Sequence, residues 1–163
     1  MKQIYLDSCI LIAFFSKHKE EKNKKKEIKR VFNIFNDLND IQLVISRWTI
    51  AEMMNIMISR HQQKNEFVLG CESELLNTKR IDGMKIKIVD VEGNKQSYDA
   101  QEFIYSIREN ILKYHSGVGD IMHSVIMKNN ELDTILTFDE KDDFKKIEGL
   151  IVLHPRDIKV ENN

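Results

Sequence analysis

Short apolar runs alternating with longer stretches of helical periodicity most restrict what this chain can fold into. Ile4-Tyr5-Leu6, Ile41 to Ile45, Thr134 to Thr137 and Leu150 to Leu153 have strand length, with too few residues for a helix. Met84, Ile86 and Ile88 alternate with Lys85 and Lys87, the pattern of a strand with one wetter face, closed by a turn at Gly93-Asn94. Between these runs the period changes. Cys9 to Phe15 is apolar on every side, as a helix packed on a sheet would be. Ile28, Val31, Phe32, Phe35 and Leu38 recur at helical spacing, as do Ala100, Phe103, Ile104, Ile107 and Ile111. A helix from about Arg47 to Gln62 is opened by Ser46 or by a capping box Thr49-x-x-Glu52, and Asn65 to Thr78 reads as a further helix. Ser116-Gly117-Val118-Gly119 breaks the next helix, which restarts near Asp120. Strands that alternate with helices predict an α/β fold, a parallel sheet covered by helices on both faces.

Composition narrows the function. With 25 Lys and Arg against 26 Asp and Glu, the net charge of −1 excludes binding to nucleic acid by bulk charge alone. Two cysteines, Cys9 and Cys71, are too few for a Cys-rich zinc module and read as small buried apolar residues. No apolar run approaches the ~20 residues that span a bilayer, and Met1-Lys2-Gln3 leads directly into a strand without a cleavage pattern. The expectation is a cytoplasmic protein with one domain over 1–155 and a short polar tail over 156–163.

Four carboxylates stand near the strand ends. Asp7 follows the first strand and Asp139 the strand Ile135-Leu136; Glu52 lies early in the helix after the second strand, and Asp120 opens a later helix. Ligands of open α/β sheets bind outside the carboxyl ends of the strands, above all where strand order reverses. Two like charges 4 Å apart repel by about 4 kcal/mol at an effective dielectric near 20, so a cluster of four calls for protons or a cation. Oxygen donors alone select a hard ion such as Mg²⁺ or Mn²⁺. Singly, each has a plainer use: Asp7 and Asp120 as helix N-terminal acids, Glu52 closing the Thr49 box, Asp139 capping a short helix begun by Glu140. On the helical wheel Ile121, Met122, Val125 and Ile126 share one arc, opposite Asp120, His123 and Ser124, which makes His123 an exposed bystander.

The order of these motifs resembles the PIN-domain family of metal-dependent ribonucleases, which includes the VapC-type toxins of prokaryotic toxin–antitoxin pairs. The resemblance runs from Ile4 to Pro155. It rests on Ile4-Tyr5-Leu6-Asp7-Ser8, Thr49-Ile50-Ala51-Glu52, Gly117-Val118-Gly119-Asp120 and Thr137-Phe138-Asp139, trailed by Phe144 and Gly149 to Pro155. It implies a three-layer α/β/α sandwich around a parallel sheet of four to five strands. It makes Asp7, Glu52, Asp120 and Asp139 the catalytic metal ligands for one or two Mg²⁺ or Mn²⁺ ions, supported by Ser8 and Thr137. Cys9 stands where the family usually has Asn. The run Glu140-Lys141-Asp142-Asp143 lengthens the last motif, so Asp142 or Asp143 shares the role of Asp139. The implied activity is endoribonucleolytic, with a homodimer formed through the early helices and a separate small antitoxin as partner. The alternative is a catalytically silent Mg²⁺- or RNA-binding module serving as a scaffold.

An acidic centre needs cations elsewhere to hold RNA. Lys17 to Arg30 carries eight basic and three acidic residues, so Lys24, Lys25 and Lys26 are the candidates, with Arg47 beside the expected pocket edge; the plainer use of the run is solubility. Ile50, Met53, Met54, Met57 and Ile58 form an apolar stripe read as core, and Trp48 is read as packing. A haloacid-dehalogenase-type phosphatase wants a second Asp where Cys9 stands, and a receiver module wants a Lys directly after the last strand, where none follows Leu153.

Overall fold

The structure, a computed structural model, describes residues 1–93, 100–139 and 143–159. Its elements run β1 (Lys2–Leu6), α1 (Ser8–Phe15), α2 (Lys22–Leu38), β2 (Ile41–Ser46), α3 (Arg47–Ser59), α4 (Asn65–Thr78), β3 (Arg80–Ile81), β4 (Met84–Val89), α5 (Ala100–Tyr114), α6 (Val118–Asn129), β5 (Thr134–Leu136) and β6 (Ile151–Leu153). The sheet order is β3-β4-β2-β1-β5-β6. Every pairing is parallel except β3 with β4. The expected α/β/α layering is present, with six strands in place of four to five.

The added strand is β3, joined to β4 through Asp82 and Gly83, which both have positive φ (48° and 83°). A two-residue Asp-Gly loop with that backbone matches the twist of a tight hairpin. Two other boundaries shift. The helix expected to reach Gln62 ends at Ser59, and the one expected to restart near Asp120 begins at Val118. Asn94, Glu140, Lys141 and Asp142 lie outside the described residues.

Alternation along the central strands divides the core in two. Ile4 and Leu6 of β1, Leu43 and Ile45 of β2, and Ile86 of β4 face α1 to α4. Tyr5, Val44 and Ile135 point the other way, onto α6, with α5 packed outside it. The methionine stripe is mostly core: Ile50, Met53 and Met57 are buried, while Ile58 and also Leu38 of α2 reach solvent. Trp48 packs in the second cluster. The chain beyond β6 is tied back onto α2, where Arg30 donates to the carbonyls of Ile158 (2.6 Å) and Pro155 (2.7 Å). One member of the basic run is thus spent on packing.

Candidate metal centre

Strand order reverses at β1. The chain builds β2 and β4 on one side of it, then returns to place β5 and β6 on the other. The carboxyl ends of β1, β2 and β5 therefore surround one crevice, the place where sheets of this kind bind ligands. A cleft of about 250 Å³ opens there, lined by Asp7, Ser8, Cys9, Lys24, Glu52, Asp120, His123, Phe138 and Asp139. All four carboxylates expected from the sequence meet in it.

Asp7 follows β1 and is the N-cap residue of α1, yet its side chain makes no capping bond. Its oxygens turn to the cleft. Oδ2 accepts from the hydroxyl of Thr137 at 2.6 Å and the thiol of Cys9 at 2.9 Å, and Oδ1 from Ser8 at 3.3 Å. The Thr137 Oγ1 in turn accepts from the backbone N–H of Asp139 at 2.9 Å, tying β1 to the segment after β5. The Cys9 Sγ accepts from the N–H of Phe138 at 3.1 Å. Burial first, then the Asp7 carboxylate, pushes this thiol well above its ordinary range, so it stays a hydrogen-bond donor. Cys9 is thus part of the site's wall, which its reading as a plain apolar residue missed.

Glu52 does not close a box with Thr49. The box at the start of α3 belongs to Ser46 as N-cap and Thr49 three residues later. Glu52 lies farther along α3, free to reach the cleft, where its Oε2 is 2.8 Å from His123 Nε2. Burial works to raise its pKa, but hydrogen bonds and charge from His123, with Ser8 and Arg60, outweigh it and hold the carboxyl below its usual value. Gly119 makes room for it: a Cβ there would sit 3.0 Å from Glu52 Oε1.

Asp120 stands in the first turn of α6 and groups with Asp139 and Asp143, their oxygens within 4.8 Å of one another. Burial and then the carboxylates of Asp139, Asp7 and Asp143 raise its pKa to about 6. Such crowding is unfavourable without a counter-ion. The donors are oxygens with no thiolate, a set that suits a hard divalent ion. The residues present therefore fit Mg²⁺ or Mn²⁺.

His123 is the clearest departure from expectation. Only 1% exposed, it lies beneath the cleft. Its Nδ1 is 2.9 Å from the hydroxyl of Tyr5, and its Nε2 reaches Glu52 and, at 3.4 Å, Asp7 Oδ1. On the polar arc of α6, His123 faces a buried hydroxyl instead of solvent. Burial opposes charge on the ring, but Tyr5, the Glu52 hydrogen bond and the Asp7 carboxylate outweigh it and raise the pKa to about 10.

The basic candidates separate. Lys24 lines the cleft, 5.6 Å from the Phe138 ring centre and 3.7 Å from Glu21 Oε2. It also borders a second, adjoining groove lined by Cys9, His18, Arg60 and His61, among others. Lys25 lies near the Phe14 ring and Lys26 is exposed; neither lines the acidic cleft. Arg47 is not at the pocket edge. It pairs with Asp90 at 2.9 Å and borders a hollow between α3 and α4, because the first residue of α3 points away from the crevice that Glu52 enters.

Comparison with known proteins fits this geometry. The PIN domain family model matches residues 4–150. The chain belongs to the PIN-domain family. No curated protein matches this PIN domain by sequence. Its fold is similar to that of VapBC2 from Rickettsia felis, solved bound to a promoter DNA fragment (TM-score 0.55, 18% identity, 93% of this chain and 98% of that one). It is also similar to VapC20 of Mycobacterium tuberculosis, described as a sarcin–ricin loop cleaving toxin (TM-score 0.60, 12% identity, 90% and 96%). Among the described residues of this PIN protein no helix is long and apolar enough to cross a membrane.

Proposed function

We propose that this chain is a divalent-metal-dependent endoribonuclease, a single PIN domain over 1–155 with a short tail over 156–163, acting in the cytoplasm as the toxin of a toxin–antitoxin pair. The observation that carries the reading is the meeting of Asp7, Glu52, Asp120 and Asp139 in one cleft at the strand-order reversal. Asp7, Asp120 and Asp139 would hold one or two Mg²⁺ or Mn²⁺ ions, with Asp143 beside Asp120 and Asp139, and Glu52 directly or through water. Bound there, a divalent ion lowers the pKa of a water and offsets charge on a scissile phosphate.

The chain's own residues do the rest. Ser8, Thr137 and Cys9 fix the Asp7 carboxylate with three donors, so it meets its ligand without reorganising. Glu52, beside Asp7 and held below its usual pKa, stays ionised to accept a proton from water. Lys24, at the junction of the acidic cleft and the adjoining groove, would take a phosphate of the flanking strand, with Arg60 farther along that groove. The likeness of the fold to VapBC2 and VapC20 supports an antitoxin partner and an RNA substrate, and a homodimer is part of the same reading.

The test is a panel of structured and single-stranded RNAs incubated with EDTA, Mg²⁺ or Mn²⁺, with Asp120→Asn run beside the parent. Metal-dependent cuts that vanish in the variant are the expected result. Cuts that persist equally in the variant would assign the activity to a contaminant, and a folded parent that cuts nothing would leave the chain a binding module.

A further inference from the structure

The buried polar chain beneath the cleft does more than fill space. Tyr5 sits between Ile4 and Leu6 in β1 and is fully buried. Its hydroxyl contacts Ser46 Oγ (2.7 Å), Thr49 Oγ1 (2.8 Å) and His123 Nδ1 (2.9 Å). Ser46 and Thr49 are themselves locked by the cap of α3, the helix that carries Glu52. On its other side the imidazole meets Glu52 Oε2 at 2.8 Å, with Asp7 Oδ1 at 3.4 Å.

Hydrogen-bond chemistry fixes the direction of this chain. An ionised carboxylate only accepts, so the proton between His123 and Glu52 resides on Nε2. That holds whether Nδ1 accepts from the Tyr5 hydroxyl or donates to it. A nitrogen bearing a proton has no lone pair for a metal, although Asp7, Glu52 and His123 together offer ligand atoms within 4.8 Å of one another. The ring is also caught from the side: Tyr5 packs against it edge-on, with ring centres 5.6 Å apart, and Phe144 lies at 6.2 Å. Histidine, carboxylate and hydroxyl thus form one rigid line from the α3 cap to the cleft.

We infer that His123 is a positioning residue and not a metal ligand: braced by the buried Tyr5 hydroxyl, its Nε2–H clamps the Glu52 carboxylate beside Asp7 and fixes the direction in which Glu52 faces the cleft. For its effect on rate this rests on the nuclease reading; the clamp itself does not.

The experiment compares parent, His123→Leu, His123→Gln and Tyr5→Phe, each as metal-free full-length protein. Mn²⁺ affinity is measured by calorimetry, ¹⁴N coupling to bound Mn²⁺ by pulsed EPR, the His123 Nε2–H by NMR, and cleavage under single turnover. Loss of a group that orients a ligand typically costs about 10–100-fold in metal affinity or activity; with Asp7, Asp120 and Asp139 still in place, His123→Leu should lose that much in rate while Mn²⁺ still binds. His123→Gln, whose amide N–H reaches as Nε2 does, should recover most of the rate. Tyr5→Phe leaves Ser46 and Thr49 to pair with each other at 3.0 Å, and should lower the rate several-fold with faster exchange of the Nε2–H.

Strong ¹⁴N coupling in the parent, with Mn²⁺ affinity collapsing in His123→Leu, would make the histidine a ligand and overturn the inference. So would parental rates in His123→Leu, or a His123→Gln no better than it. Tyr5→Phe carries the same test if the leucine variant does not fold. If the parent cuts no RNA, the nuclease reading falls separately. The clamp is then decided by the Nε2–H resonance, which must exchange slowly in the parent and quickly in Glu52→Ala.

Discussion

Replacing Asp120 with asparagine should stabilise the metal-free protein while removing its chemistry. Burial and the carboxylates of Asp139, Asp7 and Asp143 raise the Asp120 pKa from 3.8 to about 6. A carboxyl that holds its proton more tightly folded than unfolded makes stability fall as pH rises through the interval between those two values. Below about pH 4 the penalty is absent; above about pH 6 it is complete and constant. Taken in full, such a displacement is worth about 3 kcal/mol. Asp120 is only half-buried, so solvent screening reduces the figure to about 1 kcal/mol. At this chain length that is about 2–4 °C in thermal midpoint. Scanning calorimetry of both proteins in EDTA should therefore find the variant higher at pH 7.5, with the gap closed near pH 4. In Mg²⁺ at a hundred times its Kd the order should reverse, because ligand binding adds about 2.7 kcal/mol to the parent alone. A variant no more stable than the parent at pH 7.5 in EDTA, or an advantage of equal size at pH 4, would refute the argument that the cluster is strained by its own charge.

Three further outcomes follow from the same geometry. Thr137→Val removes the hydroxyl that donates to Asp7 and accepts from the Asp139 N–H; stability in urea should fall by about 1–3 kcal/mol, and calorimetry should find weaker Mn²⁺ binding. Gly119→Ala places a methyl 3.0 Å from Glu52 Oε1. Alanine favours the helix by up to about 1 kcal/mol, so the melting point should hold or rise while the cleavage rate falls. Lys24→Ala should raise KM, leave kcat nearly unchanged and lower the salt slope of RNA binding by about one, whereas Arg47→Ala should change neither.

The acidic site was legible because strand ends are legible. Apolar runs end visibly at Asp7 and before Asp139, and a sheet with helices on both faces leaves few places for such residues to go. His123 was misplaced by a sound rule applied without its partner. Helical phase puts it opposite Ile121 and Val125, and that side faces solvent unless something polar lies beneath. The available signal was Tyr5, whose hydroxyl on a buried strand requires a partner, together with Ser46-x-x-Thr49, which runs from the end of the neighbouring strand into α3. The β3–β4 hairpin was also announced, by Asp82-Gly83, but a two-residue strand has no periodicity to detect. Arg47 shows the opposite limit. Being next to a strand end in sequence says nothing about which way the first turn of a helix points.

The position of β1 in the middle of the sheet also sets when the site can come into being during synthesis. Asp7 is made before both of its flanking strands, and the second of them, β5, comes only after α2, β2, α3, α4, β3, β4, α5 and α6. A nascent chain that stops short of Thr137 carries three of the four carboxylates and lacks the hydroxyl that orders the first. A protein that makes its elements from the N-terminus onward thus completes its cleft only once β5 and the segment after it have been made. Truncated products, whether from stalled ribosomes or nicked messages, are born without it.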